Sequence, residues 1–186
     1  MSPILGIYAS QISGHLFTLS GNYDALATVT VPSTSVSSIT FAGIPQTGYS
    51  HLQVRFIYMN TTTSATRESA MQFNGDTGNN YADHQLAGDG SSASAAAITS
   101  TNKIYMGQAK GVGFGATVID ILDYANTNKY KTSRQIWGWD NNGEGVIRLT
   151  SGLWMNTNVI NSITLLPLSS GNFAQYTQAA LYGVKA

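Results

Sequence analysis

The chain contains no cysteine. No disulfide framework and no thiolate metal site can form. Charge is almost as scarce. Nine Lys and Arg balance nine Asp and Glu to a formal net charge of +0, and charged residues make up 10% of the 186, against about 25% in an average globular domain. The few Lys and Arg form no stripe of the kind that neutralises nucleic-acid phosphates, so no nucleic-acid partner is expected. No apolar run approaches the ~18 residues that would span a bilayer as a helix, and membrane insertion is not expected. The opening "MSPILGIYASQISGHLF" lacks the basic segment of a secretory signal, which points to assembly in the cytoplasm.

Ser, Thr, Asn, Gln and Gly supply the missing polarity, and 42% hydrophobic residues suffice for a core. Near-zero net charge removes the self-repulsion that keeps copies apart, which hints at an assembled state. The dominant pattern is alternation. In "YSHLQVRFIYM", Leu52, Val54, Phe56 and Tyr58 fall on one face, with His51, Gln53 and Arg55 on the other, the period of a half-buried strand. "ALATVTV" and "VSSITF" read as two strands split by a turn. "ATVIDILDY" reads as a central strand, "GVIRLTSGLWM" and "NVINSITLL" as a pair around "NTN", and "QAALYGV" as a closing strand. Gly, Asn and Ser clusters punctuate these runs about every 10 residues. The spacing predicts an all-β fold: an antiparallel β-sandwich, taken further to a jelly roll, over residues 21–186. Residues 1–20 read either as an N-terminal arm, with Ile4, Leu5, Ile7 and Tyr8 as its apolar anchor, or as a first edge strand. "GDGSSASAAAITSTN" reads as a flexible surface loop.

Three stretches are candidates for a site. "FNGDTGNNYADHQLAGDG" crowds Asp76, Asp83, His84 and Asp89 among glycines and asparagines. Counted from Asp76 as a calcium loop, the third position is Gly78 and the twelfth Ala87, so the ligand pattern fails. Asn-Gly and Asp-Gly are tight-turn pairs. The reading is two turns around a strand "NYADHQL", with no metal; a looser oxygen-rich site is the competing one. The three histidines lack a G-x-S-x-G partner, and the two glutamates and seven aspartates show no paired spacing. No catalytic residue and no cofactor is therefore expected. Asp120 and Asp123, in an apolar strand, need partners, with Arg134 and Arg148 as candidates. In "RQIWGWDNNGEGVIRL", Trp137 and Trp139 share a face, and with Asp140 and Asn141 they form either a sugar-stacking platform or part of a core or interface.

Taken together, "SPILGIYASQISG", "SHLQVRF", "GATVIDILDYANTNKYKT", "GLWMNTNVINSITL" and "AALYGV" resemble small virion proteins of tailed bacteriophages, among them head decoration or cement proteins and fibre-tip β-sandwich domains. The resemblance implies a homotrimer on the particle surface, bound to other virion proteins such as the major capsid protein or a fibre adaptor, without catalysis. The short segment before the first strand favours a compact protein docked on the shell. In that case, "ILGIY" would add a strand to a neighbour's sheet edge. The alternative is a fibre domain that recognises a host-surface glycan.

Overall fold

The computed structural model describes residues 21–110, 113–168 and 170–185. Among them are twelve strands and no helix. The strands are β1 (Tyr23–Thr30), β2 (Ile39–Ala42), β3 (His51–Tyr58), β4 (Arg67–Phe73), β5 (Tyr81–Gly88), β6 (Ala93–Thr101), β7 (Ile104–Ala109), β8 (Gly115–Leu122), β9 (Lys131–Asp140), β10 (Gly145–Trp154), β11 (Ser162–Pro167) and β12 (Gln178–Val184). They form two wholly antiparallel sheets. The larger has the order β1-β12-β3-β8-β9-β10-β5-β6 and the smaller β2-β11-β4-β7. Four pairings nest inside one another: β1 with β12, β2 with β11, β3 with β8, and β4 with β7. The hairpins β5–β6 and β9–β10 lie outside this nest. They join through β5 and β10 and widen the larger sheet.

Alternation decides what lies inside. Leu52, Val54, Phe56 and Tyr58 of β3 are buried with Ile119 and Ile121 of β8. They form one core with Phe41, Met71, Phe73, Ile104, Met106, Ile163 and Leu165 from the smaller sheet. Each such side chain contributes about 1.5–3 kcal/mol of burial. Phe56 stacks on Tyr58 with ring centroids 4.9 Å apart, and Phe173 meets both rings edge-on.

Beyond β8 the middle of the inner face turns polar, between the buried rings of Tyr81 and Trp154 on one side and Trp137 on the other. Ser133, Gln135, Thr150, Asp83 and Gln85 are all buried. Their role depends on the position of β7, the outermost strand of the smaller sheet, whose outer edge has no strand beside it among the described residues. Gln135 donates to the Tyr105 carbonyl at 2.9 Å, and Thr117 to the Met106 carbonyl at 2.7 Å. The Tyr105 amide donates to the Asp83 carboxylate at 3.4 Å. Side chains of one sheet thus satisfy backbone groups at the edge of the other, which would otherwise be buried without partners.

Several expectations from the sequence need correction. The small-residue stretch expected as a loop contains β6, bonded along β5. Its Ala and Ser residues are exposed on both faces, which leaves no alternation to read. β10 and β11 are not a hairpin. Residues 155–161 carry the chain from one sheet to the other and bury Ile160 on the way. The expected arginine partners also fail. Asp120 accepts from Gln53 at 2.8 Å, and Asp123 pairs with Lys129. The expected arm, Ile4 to Tyr8 included, lies outside the described residues.

Lys131 ties the loops together. It is fully buried, and its ammonium donates to the carbonyls of Asn126 (2.6 Å), Lys129 (3.0 Å) and Thr157 (3.0 Å). Burial pushes its pKa down. One cation therefore clasps the β8–β9 and β10–β11 connections. Lys131→Met removes the donor and strands three carbonyls. Urea unfolding should show a loss of about 2–4 kcal/mol, and an unchanged midpoint would rule out the clasp.

Candidate functional site

The stretch from Phe73 to Gly90 resolves into two turns around β5. Asn74 (φ 53°) and Gly75 (φ 67°) are both left-handed, as the central pair of a type I′ turn requires. Asp76 organises the residues just beyond this turn. Its carboxylate accepts from the Gly78 amide at 2.9 Å, from the Asn80 side chain at 3.0 Å, and from the Trp154 indole at 2.7 Å. Asp83 points inward and accepts from Gln85 at 3.0 Å; burial raises its pKa. Asp89 takes the amides and hydroxyls of Ser91 and Ser92 within the β5–β6 turn. The three aspartates are engaged separately. Among the described residues, no three His, Asp or Glu side chains converge as a metal site would need.

His84 points outward, opposite Asp83. The His51 Nδ1 accepts the Asp123 amide at 2.9 Å. No Ser or Thr hydroxyl bonds to a histidine among the described residues, so no nucleophile–base pair is assembled there.

Trp137 and Trp139 share a face, as their spacing requires, but it is the inner one. Trp137 is 3% exposed, donates to the Thr150 hydroxyl at 3.1 Å, and has the Arg148 guanidinium 5.0 Å from its ring centroid. Trp139 is half-buried, with its indole 3.5 Å from the Gln108 side chain. Asp140 and Asn141 are exposed at the β9–β10 turn. The structure does not bring the four together as an open stacking platform, because the Trp137 ring is covered.

The unusual surface is the other face of this sheet. Strand register lines its side chains up in rungs across the strands. One rung runs Ile57, Ala116, Gly138, Ile147, Gly88 and Ala93. The next runs Arg55, Val118, Ile136, Leu149, Leu86 and Ala95, and a third runs Gln53, Asp120, Arg134, Ser151, His84 and Ala97. The first two rungs, with Phe114 just before β8, expose large apolar side chains to solvent. Ile57, Leu86, Phe114, Val118, Ile136, Ile147 and Leu149 are each between 37% and 59% exposed. Small residues between them leave two open depressions of about 940 and 580 Å³. The larger is floored by Ala116 and Gly138 and flanked by Ile57 and Ile147. Single exposed apolar residues are ordinary, but a contiguous set of this size marks a contact surface.

Sequence reasoning misses this face. The signal is present, because "VIDIL", "QIW" and "GVIRL" carry apolar residues at both parities of a strand. Such runs read as strands buried on both faces. The chain matches no family model, no curated protein and no solved structure.

Asp76 gives this region a pH signature. Burial raises its pKa, but hydrogen bonds from Trp154, Asn80 and Gly78 outweigh that and leave it lowered. Its unfolded value is about 4. The stability it contributes is present above that value and is lost as pH falls through the lower, folded pKa. Asp76→Asn should therefore destabilise the fold at pH 7 and flatten the loss of stability on acidification. Thermal melts from pH 7 to pH 2 check this. Parallel acid profiles for variant and wild type would contradict it.

Proposed function

We propose that this chain is a structural protein of a tailed-bacteriophage virion. In this reading it sits on the particle exterior as a capsid decoration protein or short fibre component, assembles as a homotrimer, and catalyses nothing. The observation that carries the reading is the broad apolar outer face of the eight-stranded sheet, on a chain with so few charges. Such a face suits permanent contact with other proteins better than turnover of a small substrate. The resemblance of the sequence to phage virion proteins supplies the setting. The major capsid protein or a fibre adaptor is the expected neighbour.

Within this reading the fold is a jelly roll with two inserted hairpins. Without β5–β6 and β9–β10, the sheets reduce to β1-β12-β3-β8 opposite β2-β11-β4-β7. The remaining strands pair first with last, second with next-to-last, and so on inward. One long antiparallel hairpin rolled over itself produces this order, and jelly rolls are built that way. Coat proteins and lectins both use the fold, so the fold alone does not choose between them. The glycan-binding alternative has weaker support, since it retains only Trp139, Asp140 and Asn141 at the sheet margin.

Two measurements test the proposal. Light scattering of the purified protein should give a mass near three times 19.8 kDa. Antibody labelling of intact phage particles that carry this gene should decorate their surface in regular positions. A particle that contains none of the chain would refute the virion assignment, whatever the mass in solution.

A further inference from the structure

Three pairs in the chain place glycine directly after Asn or Asp: Asn74-Gly75, Asp89-Gly90 and Asn142-Gly143. Each lies between two strands, and each glycine has positive φ, at 67°, 89° and 118°. Such pairs are prone to attack themselves, because glycine has no Cβ to keep its amide nitrogen from the preceding side-chain carbonyl carbon. For an asparagine the steps balance as follows. Solvent hydroxide takes the glycine amide proton, and the nitrogen bonds to the side-chain carbon. The amide nitrogen leaves as ammonia, taking a proton from water, which restores the hydroxide. Water then opens the five-membered succinimide at either carbonyl, giving aspartate or isoaspartate.

All three glycines face open space, so access does not separate them. The hold on the preceding side chain does. The Asn74 Nδ2 donates to the Val159 carbonyl at 2.7 Å, and its Oδ1 accepts the amides of Asn161 and Ser162 at 2.9 and 3.1 Å. It cannot turn toward Gly75 without breaking three hydrogen bonds. Asp89 is held by the amides and hydroxyls of Ser91 and Ser92. Those bonds keep its carboxyl well below the usual carboxylate range, and an aspartate cyclises as its neutral acid. Asn142 has neither protection. It is exposed, and its side chain makes no hydrogen bond among the described residues. The bonds of its turn run through other atoms. The Asn142 backbone amide donates to the Asp140 carboxylate at 3.0 Å, and the Asn141 amide to the Glu144 carbonyl at 2.9 Å. Attack requires Asn142 to rotate out of its left-handed conformation (φ 42°). That conformation is disfavoured for a residue with a Cβ, so leaving it gives up little.

We propose that Asn142-Gly143 is a self-modifying site, at which the folded protein converts Asn142 to aspartate and isoaspartate while Asn74 and Asp89 stay intact. The product adds a carboxylate next to Asp140 and Glu144, of which only Glu144 is paired, with Lys110. One neutral amide becomes one anion, so the formal net charge goes from +0 to −1. Asp140, Gly143 and Glu144 line the larger outer depression, and its rim therefore gains charge as the molecule ages. The site does not depend on the virion reading.

The test is long incubation of the purified wild-type protein in neutral buffer, followed by trypsin digestion and fragment mass spectrometry. A sample frozen at the start sets the baseline. Trypsin separates the sites, with Asn142 in the peptide Gln135–Arg148 and both Asn74 and Asp89 in Glu68–Lys103. The acid should accumulate at Asn142 as two chromatographic forms, aspartate and isoaspartate. Asn74 should react at least about 10-fold more slowly, since its three hydrogen bonds must break first. Raising the pH should speed the change at Asn142, because hydroxide removes the Gly143 amide proton. In guanidinium chloride the hold on Asn74 is gone, and the two rates should converge. Folded protein whose Asn142 stays an amide overturns the proposal. So does folded protein in which Asn74 keeps pace with Asn142, because the hold on the side chain would then decide nothing.

Discussion

Eight strands lie opposite four, and that inequality shapes the rest of the molecule. A sheet hides its apolar side chains only where another layer covers them. Over β3 and β8 the smaller sheet does so, and the interior is hydrocarbon. Next to β7, between the buried rings of Tyr81 and Trp154 and that of Trp137, lie the amides, hydroxyls and carboxylate that complete the edge of β7. Further out, β6 is exposed on both faces among the described residues and is built of Ala, Ser and Thr around a single Ile98. The buried polar groups of the larger sheet therefore gather along the edge of the smaller one. The two inserted hairpins are the source of the mismatch, since the nested strands without them would match four against four.

The loops carry a second kind of order. With no disulfide and few ion pairs, they are held by single polar groups that each satisfy several partners. Lys131 gathers three carbonyls. Asp76 gathers two turn donors and the Trp154 indole, and so ties the β4–β5 turn to the end of β10. Such nodes are sensitive, because loss of the central group leaves all its partners unsatisfied together.

Legibility of the sequence depends on the environment of each strand. β3 and β12 lie under full cover on one side, and both can be read directly as strands. The Asn74-Gly75 and Asp89-Gly90 turns are legible because left-handed backbone restricts residue choice. β4 and β7 are not, since the string "RESAMQF" buries Ser69 and Ala70 next to Met71 and breaks the alternation. β6 gives no signal because its side chains are exposed on both faces among the described residues. The shared face of Trp137 and Trp139 is legible in their spacing, but the side of the sheet it occupies is not. That depends on whether β9 turns Ile136 or Trp137 toward the smaller sheet, and both are large and apolar. The outer apolar rungs read as full burial for a related reason. A strand records that both faces avoid water, but not whether the cover comes from its own chain.

The nested pairing also bears on synthesis. β12, the last of the described strands, lies between β1 and β3, which are made well before it. Until it arrives, β1 has no partner among the described strands, and the edge of β3 that β12 will fill is open. Contacts between sequence-distant strands form late and slowly. Before β12 is made the chain therefore displays strand edges with free backbone groups, the arrangement that invites pairing with the wrong molecule. In the finished fold, "QAALYGV" pairs with both strands, and its Ala179, Ala180 and Leu181 are buried between the two edges it joins.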